Sequence, residues 1–447
     1  MFYSIFRIFA GLGLKIYFRK IHFTGSEKIP EDKPILLVSN HVNGLIDPLF
    51  MITHLKRQVH VTAKNVLTKN PLFKYLFCKL NVIEFHRSQD IDKGADAREN
   101  VKSIRRCVKA LSGGESLCIF PEGFSHSETR MAEFKPGAAK IAMDFLKKIK
   151  NDLTIVPVGL NFMDKEKFRS DVWVRFGTPF SLKEWKEKNP ESGLNDLTKE
   201  LTERIEGITQ NFDNRRELWG LRWAAELLST GADSPASLDR FDSSIIDHFE
   251  LVEKLHNAYL RGSKTMMDDI LDMAEEVQVY QRQLRRLGII PAEIFLPLNP
   301  AQAAFFILRE IEILVIGMPM AVIGWLLFIT PYLITRAIAV KYSKSRDHWA
   351  SFAIYSGAFV FPVICGLELL MLLWLLPFYL WLMVIICLPF LGYYLLNYLH
   401  RTGGAIRRAR TFLILTFLPN LRRKLVARGK EIIRKMQILY RAIEREV

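Results

Sequence analysis

Two long apolar stretches in the C-terminal third constrain this chain more than any other feature of its sequence. The first runs from Ile313 to Ile334, and the second runs from Trp349 to Leu399 with Glu368 as its only charged residue. A helix needs about 20 apolar residues to cross a bilayer, so the second stretch is long enough for two spans, which we expect to meet near Leu376–Pro377. The sequence therefore predicts an integral membrane protein.

The charge balance is strongly basic, with 62 Lys and Arg against 47 Asp and Glu and a formal net charge of +15. Such a balance favours acidic partners, namely nucleic acid, anionic lipid headgroups or phosphorylated substrates. The apolar stretches favour membrane lipids, and no helix-turn-helix, zinc-finger or RNP-like pattern supports nucleic acid. The five cysteines have no metal-ligand spacing, so neither a disulfide framework nor a metal site is predicted.

Basic residues on both sides of the second apolar stretch constrain the membrane topology. They are Arg336, Lys341, Lys344 and Arg346 before it and a basic segment after His400. The positive-inside rule predicts that both groups are cytoplasmic. If the part of the chain before residue 313 is cytoplasmic as well, three simple spans would place the loop or the tail outside. Residues 313–334, which contain Pro319 and Pro331, are therefore predicted either to be re-entrant or to span.

Short apolar runs alternate with helical patterns from Arg19 to about Leu182, which is typical of an α/β domain. The runs are continuously apolar, so a mainly parallel sheet with both faces covered is expected. Predicted strands cover 34–39, 58–63, 81–85, 115–120, 154–161 and 172–176, with helices over 97–111 and 137–149.

The N-terminal segment is apolar and aromatic but is interrupted by basic residues. It is predicted to be an interfacial helix with Phe2, Phe6 and Phe9 toward the acyl chains; an ordinary core helix is the alternative. Residues 183–308 show charged helical patterns without a catalytic motif. The predicted organisation is an interfacial helix over 1–18, the α/β domain over 19–212, a helical extension over 213–308, a membrane region over 309–399 and a basic cytoplasmic tail over 400–447.

The sharpest chemical signal follows the first strand of this pattern, where Asn40-His41 precedes Asp47. A histidine with a nearby aspartate forms a base-and-orienter pair: the imidazole removes a proton, and the carboxylate fixes its tautomer. Considered alone, this pair is equally well explained by a turn at the end of a strand followed by a helix N-cap.

Three further signals also fall at or near predicted strands. Glu122 and Gly123 end a Phe-Pro-Glu-Gly block, where a carboxylate accepts from a substrate hydroxyl and a glycine admits close approach. The planar guanidinium of Arg87 is suited to binding phosphate through two hydrogen bonds. Pro157, within Ile-Val-Pro-Val-Gly, can form part of the wall of a substrate-binding site. Each has an ordinary structural explanation: a turn, a surface arginine and an edge strand.

Taken together, these four blocks resemble the glycerophospholipid acyltransferase family, the PlsC-like enzymes that acylate glycerol phosphate and lysophosphatidate. The resemblance covers roughly residues 1–212. It implies a catalytic dyad of His41 and Asp47, from the family's NHxxxxD block. It also implies substrate binding by Asn40, Arg87, Glu122, Gly123 and Pro157.

Two departures from the family pattern bear on the acceptor. Five residues separate His41 from Asp47 where the family commonly has four, and the block Phe120–Gly123 lacks the usual following arginine. Both features are similar to a subgroup of fungal glycerol-3-phosphate/dihydroxyacetone-phosphate acyltransferases, which also carry C-terminal membrane segments. Lys135, just before a predicted helix, is the expected replacement phosphate contact; Arg130 and His126 are further candidates.

The resemblance implies acyl transfer from acyl-CoA or acyl carrier protein to a hydroxyl of glycerol 3-phosphate, dihydroxyacetone phosphate or lysophosphatidate, in phospholipid biosynthesis. No cofactor beyond the acyl donor and no metal is expected. A phosphorylated substrate places the catalytic domain on the cytoplasmic face. The alternatives are a non-catalytic, membrane-anchored lipid-binding scaffold on a degenerate domain, and a lipid hydrolase in which water is the acceptor.

Overall fold

The computed structural model describes residues 2–64, 71–85, 97–149, 151–165, 167–231, 245–262, 266–295, 300–343 and 348–445. The chain forms two compact units. The first unit comprises residues 1–213 with 336–358, and the second comprises residues 214–335 with 359–447.

The first unit contains a sheet in which most neighbouring strands are parallel. Its order is β1-β7-β6-β2-β5-β3-β4, and β8 pairs with β6. Only the pairs β6–β7 and β6–β8 are antiparallel among the described strands. The mainly parallel α/β fold that the sequence predicts is therefore confirmed. The strands are β1 (Lys20–Thr24), β2 (Ile35–Ser39), β3 (Val59–Lys64), β4 (Ile83–Phe85), β5 (Ser116–Ile119), β6 (Thr154–Phe162), β7 (Asp171–Phe176) and β8 (Phe180–Ser181).

Helices cover both faces of this sheet, as the continuous apolar strands require. In β2, Ile35 and Leu37 pack into one apolar cluster, whereas Leu36 and Val38 pack into another. Helices α1 and α2 contribute to the first cluster, and α4, α5 and α7 contribute to the second. The helices are α1 (Phe2–Tyr17), α2 (Asp47–His54), α3 (Pro71–Lys79), α4 (Ala97–Ser112), α5 (Gly137–Lys148), α6 (Leu182–Lys188) and α7 (Leu194–Glu206).

Helix α1 has a buried side and an exposed apolar side. Leu14 is 1% exposed in the first cluster, and Phe6 packs against that cluster, so it does not face outward as predicted. By contrast, Ile8 and Phe9 are 70% and 67% exposed. The helix is thus part of the core and also presents an apolar surface. An interfacial role for that surface stays a prediction.

The second unit contains a bundle of helices around a shared apolar cluster. Tyr280 is fully buried there, and its hydroxyl donates to the Leu425 carbonyl at 2.8 Å. Residues 419–445 are one of these packed helices, so much of the predicted basic tail is folded against the extension. The helices are α8 (Arg215–Gly231), α9 (Ile245–Gly262), α10 (Met267–Leu287), α11 (Pro291–Ile294) and α15 (Pro419–Arg445).

Three helices are long and apolar enough to cross a membrane: α12 (Pro300–Tyr342), α13 (Trp349–Leu375) and α14 (Phe378–Phe417). Helix α12 continues through Pro319 and Pro331. The re-entrant alternative supposed a break at these prolines, and the helix shows none. Prolines are tolerated inside membrane helices because neighbouring groups satisfy the freed carbonyls. The two alternatives for residues 313–334, re-entrant and spanning, both stay predictions.

Candidate active site

Two of the sequence blocks lie at one edge of the sheet. Strands β2 and β5 are parallel neighbours, with Val38 opposite Ile119. The carboxyl ends of adjacent parallel strands face the same edge, so the segment that follows β2 lies beside the segment that follows β5. The first carries Asn40 and His41, and the second carries the block from Phe120 to Gly123.

His41 and Asp47 form a hydrogen-bonded pair at this edge. The His41 Nδ1 lies 2.9 Å from Asp47 Oδ2, and the same oxygen accepts the backbone N–H groups of Val42 and Asn43 at 2.8 Å each. The Asp47 side chain is fully buried, whereas that of His41 is 18% exposed. With the Nδ1 proton donated to Asp47, Nε2 is the nitrogen that can remove a proton from a substrate.

The block after β5 holds the imidazole from two further directions. The His41 ring stacks on Phe120 with 4.3 Å between ring centroids, and the His41 backbone N–H donates to Glu122 Oε1 at 2.7 Å. Both the ring plane and the backbone of His41 are therefore fixed by residues of the second block. This contact explains why the two blocks occur together in one chain.

Glu122 is completely buried, and both of its oxygens accept hydrogen bonds from the protein. Besides the His41 N–H, it accepts from the His126 imidazole and from the Ala132 backbone N–H at 3.1 Å. In this conformation the carboxylate organises the loops around His41, because buried acceptors are normally satisfied internally. Direct contact between Glu122 and a substrate hydroxyl stays a prediction.

Asn40 and Pro157 lie in the framework behind the dyad. The Asn40 side-chain amide is 3% exposed and exchanges two hydrogen bonds with the Leu160 backbone, at 2.8 and 3.1 Å. Pro157 is buried in β6 opposite Val38, and its carbonyl accepts the Gly177 N–H at 2.8 Å. Asn40 therefore anchors the end of β2 to β6, and Pro157 links β6 to the segment after β7. Contact of either residue with substrate stays a prediction.

A positive group lies next to Gly123. This glycine has a φ of +76°, and a Cβ built on it would lie 3.4 Å from Lys135 Nζ. Lys135 is exposed, and α5 begins two residues later with its free N–H groups. A lysine beside a helix N-terminus is suited to binding phosphate. Arg130 instead pairs with exposed Asp213 at 3.5 Å, and Arg87 lies outside the described residues.

Lys165, which the sequence analysis missed, ties the two loops together. Its Nζ donates to the carbonyls of Val42 and His126, both at 2.6 Å. Asn43 was also missed: it is 1% exposed, and its side-chain amide has no hydrogen-bond partner within the described part of the chain. Lys165 lies outside the four sequence blocks. Asn43 is one of the positions between His41 and Asp47 for which the motif specifies no residue. Neither residue could therefore be selected from a motif.

The two buried cysteines of this unit, Cys107 and Cys118, are poor nucleophiles. Burial, followed by the nearby Asp47 charge, raises the pKa of the Cys118 thiol, and burial raises the pKa of Cys107 to about 12. The thiolate is the reactive form of cysteine, so both side chains stay unreactive at neutral pH. Across the described ranges, no group of three His, Cys, Asp or Glu side chains is arranged to hold a metal ion.

Comparison with known proteins identifies this domain. The sequence profile of the Acyltransferase family matches residues 20–161. A chloroplastic 1-acyl-sn-glycerol-3-phosphate acyltransferase from Arabidopsis thaliana is 28% identical over 33% of this chain and 38% of its own length. Glycerol-3-phosphate O-acyltransferase 1 from Saccharomyces cerevisiae is 27% identical over 41% of this chain and 24% of its own length.

The crystal structure of the 1-acyl-sn-glycerophosphate acyltransferase PlsC from Thermotoga maritima aligns with 46% of this chain and 77% of that chain. The sequence identity is 20% and the TM-score is 0.36. The chain spans well under two thirds of the two sequence relatives. The family match contains His41, Asp47 and the block from Phe120 to Gly123. Residues 20–161 therefore match the Acyltransferase family.

Proposed function

We propose that this protein transfers an acyl group from a thioester to a hydroxyl of a phosphorylated glycerol acceptor. The thioester is acyl-CoA or acyl-acyl carrier protein, and the acceptor is glycerol 3-phosphate, dihydroxyacetone phosphate or lysophosphatidate. The single observation that carries the proposal is the His41–Asp47 contact of 2.9 Å, with the imidazole partly exposed and the carboxylate buried.

The proposed reaction needs one general base and no covalent acyl-enzyme. His41 Nε2 accepts the proton of the acceptor hydroxyl as its oxygen attacks the thioester carbonyl carbon. Asp47 stabilises the resulting imidazolium and holds its Nδ1–H. The tetrahedral intermediate then collapses, the C–S bond breaks, and His41 returns the proton to the leaving thiolate. The products are an ester and a free thiol.

The acceptor phosphate is proposed to bind Lys135 and the first N–H groups of α5. The Nζ of Lys135 lies over Gly123, one residue from Glu122, which in turn contacts the His41 backbone. A phosphate held there is close to the dyad, so its glycerol hydroxyl can reach His41. Arg87 is proposed as a second phosphate contact on the strength of the family resemblance alone.

The catalytic domain is proposed to lie on the cytoplasmic face of a membrane. Ala350 is 1% exposed within the apolar cluster of the acyltransferase domain, and Ala353 and Ile354 pack against the same cluster. The start of α13 and the domain therefore lie on one side of the bilayer. The segment before α13 carries Lys341 and other basic residues, which are retained in the cytoplasm.

The reaction is tested by acyl transfer with the purified full chain in liposomes. The protein receives labelled acyl-CoA and, in separate reactions, glycerol 3-phosphate, dihydroxyacetone phosphate, lysophosphatidate or a zwitterionic lysolipid. We expect esterification of one phosphorylated acceptor and its loss in the His41→Ala variant. Absence of transfer to every acceptor, also with acyl carrier protein as the donor, would support the scaffold alternative. Release of free fatty acid without an acceptor would support the hydrolase.

The phosphate contact is tested by Lys135→Ala, with Lys140→Ala in the adjacent helix α5 as a matched control. Lys140 is also exposed but lies on the first turns of α5, away from Gly123. We expect Lys135→Ala to raise KM for the acceptor about tenfold, as loss of a charge-assisted contact does, and to leave KM for acyl-CoA unchanged. Equal effects of the two substitutions would remove Lys135 from the site.

The orientation is tested by thiol labelling of Tyr342→Cys in sealed vesicles, in a background without Cys78 and Cys387, the two exposed native cysteines. Labelling only from the cytoplasmic side is expected. Labelling from the opposite side would overturn the proposed orientation.

A further inference from the structure

The loop between His41 and Asp47 is one residue longer than the common family pattern, and its tip contacts a residue far along the chain. Gly44–Ile46 forms a short 3₁₀ turn at this tip, with Gly44 at a φ of +44°. The Leu45 carbonyl accepts a hydrogen bond from the Tyr355 hydroxyl at 3.2 Å, across 310 positions of sequence. Tyr355 lies in α13, outside the segment that matches the Acyltransferase family.

The start of α13 belongs to the same compact unit as the acyltransferase domain. Tyr355 and Ile354 pack against the apolar cluster that also contains Leu14 of α1 and Ile46 of the catalytic loop. The fit is close at α1, because a Cβ built on Gly13 would lie 3.3 Å from Ile354 Cγ2. A helix docked by apolar packing brings the tyrosine hydroxyl to a defined place.

Several other backbone groups of this loop are bound by Asp47 or within the loop itself. The N–H groups of Val42 and Asn43 bind Asp47, and the Ile46 N–H binds the Asn43 carbonyl. The hydrogen bond from Tyr355 additionally holds the Leu45 carbonyl in the middle of the turn. Tyrosines near the ends of membrane helices commonly meet water or lipid headgroups; this one binds the carbonyl of a catalytic loop.

We propose that Tyr355 is a positioning residue for acyl transfer, and that the C-terminal apolar region holds the lengthened His41–Asp47 loop in its working geometry through this residue. The inference rests on the proposed function. The start of α13 is then part of the support of the active site as well as an anchor. Small displacements of a catalytic group reduce turnover more than they reduce binding.

The test compares Tyr355→Phe with Tyr398→Phe in the full chain. Tyr398 is a matched control because its hydroxyl also donates to a backbone carbonyl, that of Leu314 at 2.8 Å, within the apolar helices of the second unit. For Tyr355→Phe we expect kcat to fall about fivefold with KM for both substrates unchanged, the scale of one lost hydrogen bond. The control is expected to keep the wild-type kcat.

Hydrogen exchange measures the same contact without relying on activity. In Tyr355→Phe, the amides of Val42 and Asn43 are expected to exchange about fivefold faster, because their acceptor Asp47 is held less firmly. If the wild-type protein esterifies no acceptor, the proposed function fails while this exchange comparison still tests the loop contact. Wild-type exchange together with wild-type kcat would overturn the positioning role, as would a change in KM alone.

A second pair of variants separates the docking of α13 from the hydroxyl. Gly13→Leu places a side chain against Ile354, whereas Gly366→Leu in α13 meets nothing within 4 Å of its Cβ. We expect Gly13→Leu to reproduce the kcat loss and the faster exchange, and Gly366→Leu to resemble the wild type. Normal turnover and exchange in Gly13→Leu would contradict the proposal.

Discussion

Three buried carboxylates, Asp47 and Glu122 in the first unit and Glu293 in the second, have different kinds of partner. Asp47 and Glu122 are held by backbone N–H groups and by His41 and His126. In the second unit, buried Glu293 binds the Arg407 guanidinium at 2.9 Å and the Thr411 hydroxyl at 2.7 Å. The burial of the three carboxylates is similar, but Asp47 and Glu122 contact imidazoles, whereas Glu293 contacts a guanidinium.

This difference suits the first arrangement to the proposed proton transfer and the second to stability. A guanidinium stays protonated at any physiological pH, so the Glu293–Arg407 pair is a permanent ion pair. An imidazole can gain and lose a proton, and a buried carboxylate beside it stabilises the charged form. The arrangement around His41 can therefore accept and return a proton during a reaction, whereas the arrangement around Glu293 cannot.

The largest effect is expected from Asp47→Asn. The amide carries no negative charge to stabilise an imidazolium, so we expect turnover to fall about 10³-fold. Steady-state kinetics with the preferred acceptor measures this change. If Asp47→Asn keeps more than about a tenth of the wild-type kcat, the carboxylate is not the orienter of His41.

A smaller loss of turnover is expected from Glu122→Gln. A glutamine has only one acceptor atom for the three donors that Glu122 binds, so the His41 backbone and the His126 loop are less firmly held. We expect kcat to fall about 10- to 100-fold with a moderate loss of thermal stability. A large rise in KM for the acceptor at unchanged kcat would instead identify Glu122 as a direct acceptor ligand.

For Glu293→Gln we expect the opposite result, a loss of stability with little loss of turnover. It leaves Arg407 beside a neutral amide, and loss of one partner of a buried ion pair destabilises by about 1 to 3 kcal/mol when the other is partly exposed. Arg407 is 41% exposed. Thermal unfolding in detergent is expected to shift down by several degrees, while kcat below the transition stays within about twofold of the wild type. A loss of kcat without a loss of stability would contradict the comparison.

The smallest effect concerns the pH dependence of stability in the second unit. Burial, helped by Glu293 and opposed by Arg407, raises the pKa of Glu226 from 4.5 to about 7. The folded protein then keeps a proton that the unfolded chain loses, so this group's stabilisation decreases as pH rises from 4.5 toward 7. Burial, followed by Arg222, lowers the pKa of His248 from 6.5 to about 4, so that group's contribution increases with pH between 4 and 6.5.

In the wild type, Glu226 and His248 change the stability in opposite directions as pH rises, so single substitutions separate their contributions. In Glu226→Gln we expect melting temperature to rise with pH between about 5 and 6.5, and in His248→Asn to fall, each by a few degrees. Thermal unfolding across this range measures both. Identical pH profiles in the two variants would show that neither group is titrated between the folded and unfolded states.

Much of the fold follows from local sequence patterns. The continuous apolar runs 34–39 and 154–161 correspond to β2 and β6, because a strand covered on both faces needs apolar residues at every position. Strand β1 was missed: its five residues, Lys-Ile-His-Phe-Thr, alternate in polarity and are only half-buried at the end of the sheet. Helix α12 is continuous through two prolines, which local helix propensity does not predict.

Contacts of the site between residues close in sequence could be predicted, whereas contacts between residues far apart in sequence could not. His41 and Asp47 lie six positions apart, so their pairing follows from the short loop between them. The internal role of Glu122 depends on a contact across 81 positions, and that of Tyr355 on one across 310. No spacing rule joins residues so far apart, since only the packed sheet and the docked α13 bring them together.

The most direct test of the central claim is a side-by-side measurement of kcat for His41→Ala and Glu293→Gln in the same liposomes, with acyl-CoA and the preferred phosphorylated acceptor. A proton-transferring dyad in the first unit and a fixed ion pair in the second predict that His41→Ala loses at least about 10²-fold in kcat while Glu293→Gln keeps it within about twofold. Retained turnover in His41→Ala would contradict the account.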